Sequence, residues 1–160
     1  MIGDYVEILL VEDNPADVRL IKEIFKDFTM QNQMYVVTNG IAAMDFLNKK
    51  GEYKDAPRPD LVLLDLNLPR KDGREVLVEI KEDENLKSIP VIILTTSSAP
   101  EDISETYNYA NSFITKPANL DNFIKVLKSL EDFWIDMVRQ SSWPLKIIRI
   151  NPPMKNKILF

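Results

Sequence analysis

The chain has 160 residues, 45% of them hydrophobic and 28% charged, with no cysteine, no histidine and a net charge of −5, which suits one globular core with a short appendage. Without Cys or His, disulfides, thiolate or imidazole metal sites and Ser-His-Asp catalysis are excluded. The basic residues after Val138 (Arg139, Lys146, Arg149, Lys155 and Lys157) have no acidic residue among them, so the preceding body is more acidic than the whole and a poor match for nucleic-acid phosphates.

Apolar runs such as Val91 to Leu94 fall far short of the about 20 residues that a bilayer-spanning helix needs. Asp4 and Glu7 interrupt the N-terminus before any signal-like apolar stretch, so the expected location is cytoplasmic, away from membranes.

In chain order, strand-like runs alternate with helical periodicity from residue 5 to residue 140, the pattern of repeated βαβ units around a parallel sheet. The first strand is expected at Val6 to Val11, followed by a helix from Pro15 to Phe28. Asn14 is placed to cap that helix, Pro15 to occupy its first position, and Val18, Ile21, Ile24 and Phe25 to line one face. A second strand at Met34 to Val37 leads through Asn39-Gly40 into a helix carrying Ile41, Met44 and Leu47.

Residues 48–59 hold two prolines, a glycine and several charges, and read as an exposed loop. The third strand follows at Leu61 to Leu64, with a helix starting near Gly73, and the fourth strand spans Val91 to Leu94. Ile103, Tyr107 and Ala110 outline a weaker helix before the fifth strand, Ser112 to Thr115. The first, third and fourth strands are almost wholly apolar, as central strands covered on both faces must be.

The last helix carries more apolar residues than one buried stripe requires, Leu120 to Val138 included. One face suits the sheet, and the second, with Phe133, Trp134 and Met137, is expected to meet a partner. Burial of both faces by the tail is the structural alternative. Residues 141–160 read as a basic extended tail. About 20 residues are fewer than a helix-turn-helix module needs, so no output domain is expected.

In open parallel sheets, ligands bind beyond the carboxyl ends of the strands. Those ends here are Glu12-Asp13, Asp65, Thr95-Thr96 and Thr115-Lys116-Pro117. Singly, each has a structural reading: solvated or capping carboxylates, a turn former, a strand threonine, a surface lysine. Gathered in one crevice, the carboxylates would repel one another unless a cation or the Lys116 ammonium offset them. Oxygen ligands without His or Cys select a hard ion, Mg²⁺ or Mn²⁺.

The acidic pair Glu12-Asp13, Asp65 in Val62-Leu63-Leu64-Asp65-Leu66-Asn67-Leu68-Pro69, the Thr95 hydroxyl and Lys116-Pro117 together resemble the receiver domain of bacterial and archaeal response regulators, across residues 5–140. The loop after the second helix, Leu94-Thr95-Thr96-Ser97 and Phe133-Trp134 are similar to single-domain regulators that pair with phytochrome-type histidine kinases.

The resemblance implies a flavodoxin-like, doubly wound five-stranded parallel sheet of order 2-1-3-4-5 with helices on both faces. It makes Asp65 the phosphoacceptor from a partner histidine kinase. It assigns a metal to Asp13, Asp65 and the Asn67 carbonyl, with Glu12 reaching it through water, and gives phosphoryl-oxygen contacts to Lys116 and Thr95. Thr95 and Phe113 become the switch pair, although phenylalanine lacks the hydroxyl of the tyrosine frequent there. Thr96 is bulkier than the alanine or glycine common after the switch residue, and Thr96 and Asn67 are expected to tune phosphoryl lifetime. Output is expected through a downstream protein or relay, with a homodimer on Phe133, Trp134 and Met137.

Three other readings compete. A pseudo-receiver would keep the fold and signal unmodified. A haloacid-dehalogenase-like phosphatase would need an aspartate where Asn67 stands. A dinucleotide-binding domain would need a glycine-rich turn in place of Glu12-Asp13-Asn14-Pro15.

Overall fold

The computed structural model describes residues 5–96, 112–139 and 158–159. Within them, strands β1 (Val6–Val11), β2 (Asn32–Val37), β3 (Leu61–Leu64), β4 (Val91–Thr95) and β5 (Ser112–Thr115) form a parallel sheet in the order β2-β1-β3-β4-β5. The helices are α1 (Pro15–Lys26), α2 (Gly40–Leu47), α3 (Gly73–Glu82) and α4 (Leu120–Arg139). The weaker helix expected around Ile103 lies outside the described residues.

The cap expected at Asn14 forms, and two further caps start α2 and α3. The Asn14 side chain accepts from the Ala16 and Asp17 amides, and Asn39 accepts from Ala42. Asp72 and Glu75 complete a reciprocal capping box on α3, which satisfies donors that the first helical turn leaves without partners. Strand β2 begins two residues earlier than its apolar run because Asn32 and Gln33 pair with Val6 and Glu7 whatever their polarity. The loop after α2 includes a 3₁₀ turn at Gly51–Tyr53, and Tyr53 joins a tilted aromatic row with Phe46 and Tyr35.

The sheet separates two apolar layers. On one side Leu9, Val11, Val62, Leu64, Val91 and Ile93 pack against α2 and α3. On the other, Ile8, Leu10, Leu63, Ile92, Leu94 and Ile114 pack against α1 and α4. Alternation along each strand thus feeds both layers, and the burial of β3 and β4 throughout agrees with their unbroken apolar sequence.

This second layer corrects one expectation. Phe133 and Trp134 are only 2% and 5% exposed and belong to the same cluster as Ile24 and Phe25 of α1, so they are internal and not an open face. The long helix has two apolar faces because it covers the sheet with one and meets α1 and the following connection with the other. Glu131 Oε2 accepts from the Met30 amide at 2.8 Å and ties α4 to that connection. The side chain of Met137 lies outside the described residues.

A second feature was absent from the sequence reading. Ile158 and Leu159 form a short strand, β6, antiparallel to β5, with Ile158 opposite Ile114 and Leu159 opposite Phe113. Residues 158–159 therefore cover part of the β5 edge, which among the described residues has no other strand on that side.

Candidate functional site

The residues singled out at the strand ends converge because strand pairing continues one residue past each strand. The Glu12 amide donates to the Val37 carbonyl at 3.0 Å, Asp65 to Val11 at 3.0 Å, and Lys116 to Thr95 at 2.7 Å. These bonds fix the backbone of three functional residues to the sheet.

Carboxylate oxygens of Glu12, Asp13 and Asp65 lie within 4.8 Å of one another, with Glu12 and Asp65 buried and Asp13 exposed. Lys116 reaches two of the same carboxylates. Its Nζ lies 2.6 Å from Glu12 Oε1, 2.9 Å from Asp17 Oδ2 and 3.4 Å from Asp65 Oδ2. Burial raises the Glu12 carboxyl to about 7, although the hydrogen bond and charge of Lys116 work against this. Burial also pulls the Lys116 ammonium downward. The hydrogen bond and charge of Glu12, then Asp65 and Asp17, outweigh it and hold the lysine above its ordinary value, so Lys116 stays charged.

Asp65 is 7% exposed. Its Oδ1 accepts from the Asn67 amide at 3.0 Å, which leaves Oδ2 on the Lys116 side. The loop beyond it closes tightly: the Gly73 amide donates to the Leu66 carbonyl at 2.9 Å. A Cβ at Gly73 would lie 2.2 Å from the Asp65 carbonyl oxygen and 2.6 Å from the Leu66 Cα, so only glycine permits this approach. Thr95 is fully buried at the end of β4, and its Oγ1 accepts from Asn67 Nδ2 at 3.3 Å. Thr96 is exposed at the rim. The Phe113 side chain lies outside the described residues.

The structure thus brings together Glu12, Asp13, Asp65, Asn67, Thr95 and Lys116. It sets Phe133 and Trp134 apart in the core. Two contacts were missed from sequence. Asp17 had been passed over because an acidic residue in the first turn of a helix already has an ordinary electrostatic reason to be there. Its one available signal was that it lies a single turn beyond the acidic pair, hence at the same sheet edge. Asn67 stands in the sequence reading as a backbone carbonyl ligand and a tuner of lifetime, and the bond from its side chain to Thr95 needed the tertiary fold.

The donor set fits a small divalent cation, since three clustered carboxylates supply hard oxygens and an exposed member leaves room for water. A cleft of about 430 Å³ opens beside Glu12 and Asp13, lined also by Pro15, Val18, Arg19 and Lys22 of α1. Among the described residues, no helix is long and apolar enough to cross a membrane.

Comparison with known proteins agrees with this geometry. Residues 8–128 match the family model of the response regulator receiver domain. The response regulator Rcp1 of Synechocystis sp. is 48% identical over 132 residues, covering 82% of this chain and 90% of that protein. The crystal structure of the Mn²⁺-bound form of Rcp1 aligns with a TM-score of 0.79, covering 81% of this chain and 94% of that one at 48% identity. The structure of the phosphorylated cyanobacterial phytochrome response regulator RcpA aligns with the same TM-score at 50% identity, covering 82% of this chain and 94% of that one.

Proposed function

The chain belongs to the response regulator receiver family, and from that premise we propose that it is a single-domain regulator that accepts a phosphoryl group on Asp65 from a partner histidine kinase. The observation that carries this reading is the buried Asp65 carboxylate with Lys116 Nζ 3.4 Å away and two further carboxylates clustered beside it. Asp65 Oδ2 attacks the phosphorus of a phosphohistidine, the P–N bond breaks, the imidazole leaves with the electron pair, and an acyl phosphate remains on Asp65.

Asp13, Asp65 and the Asn67 carbonyl would hold Mg²⁺ or Mn²⁺, with Glu12 through water. When bound, the ion neutralises charge on the transferring phosphoryl oxygens. Phosphoryl transfer requires mainly such positioning and neutralisation. Lys116 supplies a fixed positive charge beside Asp65. The Thr95 hydroxyl exchanges its Asn67 partner for a phosphoryl oxygen, a change at the end of β4 through which Phe113 would respond.

The chain itself acts as a phosphoacceptor that gains and loses its phosphoryl group without turning over a separate substrate. These 160 residues hold no histidine, so a phosphohistidine donor lies outside them. The kinase is of phytochrome type in this reading, in keeping with the named relatives. The expected location is the cytoplasm, and output is a protein contact or relay. A homodimer belongs to the same reading, but its seat is elsewhere than the internal Phe133 and Trp134. Sedimentation of a monomer at high concentration, with and without a phosphoryl mimic, would remove the dimer.

Incubation with Mg²⁺ and acetyl phosphate, followed by intact mass, tests the central step. Wild type should gain one phosphate and Asp65→Asn none; an unmodified wild type would overturn the assignment. Thr96→Ala should change the rate at which the phosphate is lost, and an unchanged rate would take Thr96 out of lifetime control.

A further inference from the structure

We propose that Asp17 is a positioning residue that anchors Lys116 when a divalent cation occupies the carboxylate cluster. The inference rests on the metal-assisted reading above and assigns a role to a residue outside the expected ligand set.

Lys116 Nζ touches two of the three clustered carboxylates, Glu12 at 2.6 Å and Asp65 at 3.4 Å. These are the same carboxylates that a divalent cation requires. Ammonium and metal therefore compete for Glu12 and Asp65, and two cations held by one pair of carboxylates also repel each other. Asp17 differs from both: it lies 2.9 Å from Lys116 Nζ but outside the cluster.

Its position suits an anchor. The Lys116 side chain is 6% exposed, whereas the Asp17 side chain is 25% exposed, so Asp17 stands on the solvent side of the ammonium and Glu12 on the interior side. When the metal takes charge density from Glu12 and Asp65, Asp17 keeps a full anion on Lys116 without yielding a metal ligand. Its backbone is held independently, since its amide donates to the Asn14 cap at 3.1 Å on the rigid start of α1. Without Asp17, the carboxylates within 4 Å of the ammonium among the described residues are the metal's own, Glu12 and Asp65.

A purely structural role for Asp17, as a favourable charge in the first turn of α1, predicts a small stability change and nothing at the metal site. Calorimetric titration of Mg²⁺ and of Mn²⁺ into the full chain separates the two roles. Asp17→Asn should weaken binding of either ion roughly tenfold, a coupling of about 1.4 kcal/mol. Asp17→Glu should recover most of that loss.

The same substitution in a Lys116→Met background should have little effect, because Asp17 acts through Lys116. An equal loss with and without Lys116 would overturn the proposal, as would an unchanged affinity in Asp17→Asn. Should Lys116→Met fail to fold, NMR relaxation of the Lys116 ammonium in the metal-loaded protein provides the second readout. That group should gain mobility in Asp17→Asn, and unchanged order would overturn the anchor. These measurements need no phosphorylation, so failure of acetyl phosphate to modify Asp65 would count against the wider function and leave the anchor standing.

Discussion

Two lysines are withdrawn from solvent to different depths, Lys116 buried and Lys81 half-buried, and their surroundings push them in opposite directions. Lys116, at the carboxyl edge of the sheet, has Glu12, Asp17 and Asp65 around it and is held above its ordinary range. Lys81, near the end of α3, donates to the carbonyls of Lys87 and Ile89 at 3.2 and 2.9 Å, and burial lowers it from 10.5 to about 8. Burial opposes the charged form of both. Carboxylates reverse that effect where carbonyl dipoles do not, so the first region can store charge for chemistry, while the second ties a helix end to the β4 connection.

The strongest way to break this contrast is Lys116→Met. Removing one partner of a buried ionic group costs about 3 to 5 kcal/mol, because Glu12 and Asp65 then face each other without a cation. Glu12 is already raised to about 7 by burial. A carboxyl raised in the folded state contributes stability below its unfolded value and loses it as pH rises through the folded one. The variant's deficit in urea unfolding should therefore be larger at pH 8 than at pH 5, and an equal deficit at both would separate Lys116 from the carboxylates.

Gly73→Ala tests the backbone of the same edge. With a Cβ pressed against the Asp65 carbonyl and Leu66, the chain has to shift, at about 1 to 3 kcal/mol by the usual range for overpacking. Unfolding in urea would measure the loss, and metal titration should report a displaced Asp65. Unchanged stability would mean that the loop relaxes freely.

At the other corner the effects are smaller. Arg58 donates from Nη1 to the Asn85 carbonyl at 2.5 Å and from Nη2 to Ser88 Oγ at 3.0 Å, both exposed. Arg58→Ala should cost about 1 kcal/mol with no change in metal affinity.

Lys81→Met should act mainly on pH dependence. A lysine lowered on folding leaves the native state with fewer protons than the unfolded chain between about 8 and 10.5, so stability rises with pH across that window. Melting temperatures should rise less steeply from pH 8 to pH 10 in the variant. An unchanged slope would mean that Lys81 does not titrate differently in the two states.

The contrast also marks how far the sequence could be read. Asp65, Glu12 and Asp13 were legible because each ends an apolar run, and parallel strands place such ends on one edge. Lys116 was legible for the same reason after β5. Lys81 was not, since a lysine within an amphipathic helix looks solvated, and the approach of the residue 87–89 backbone half-buries it. Phe133 and Trp134 illustrate the opposite error. Their excess on α4 was plain, but the sequence does not say whether a second apolar face meets a partner or α1 of the same chain.

Periodicity, caps and strand-end chemistry, all local properties, thus determined the alternation of strands and helices and the members of the acidic site. Tertiary packing alone decided that Asp17 would share Lys116, that Asn67 would reach Thr95 and that Ile158–Leu159 would pair with β5. These contacts join residues from different elements. Their distances depend on how helices seat on the sheet and how the tail returns to it, which no local pattern encodes.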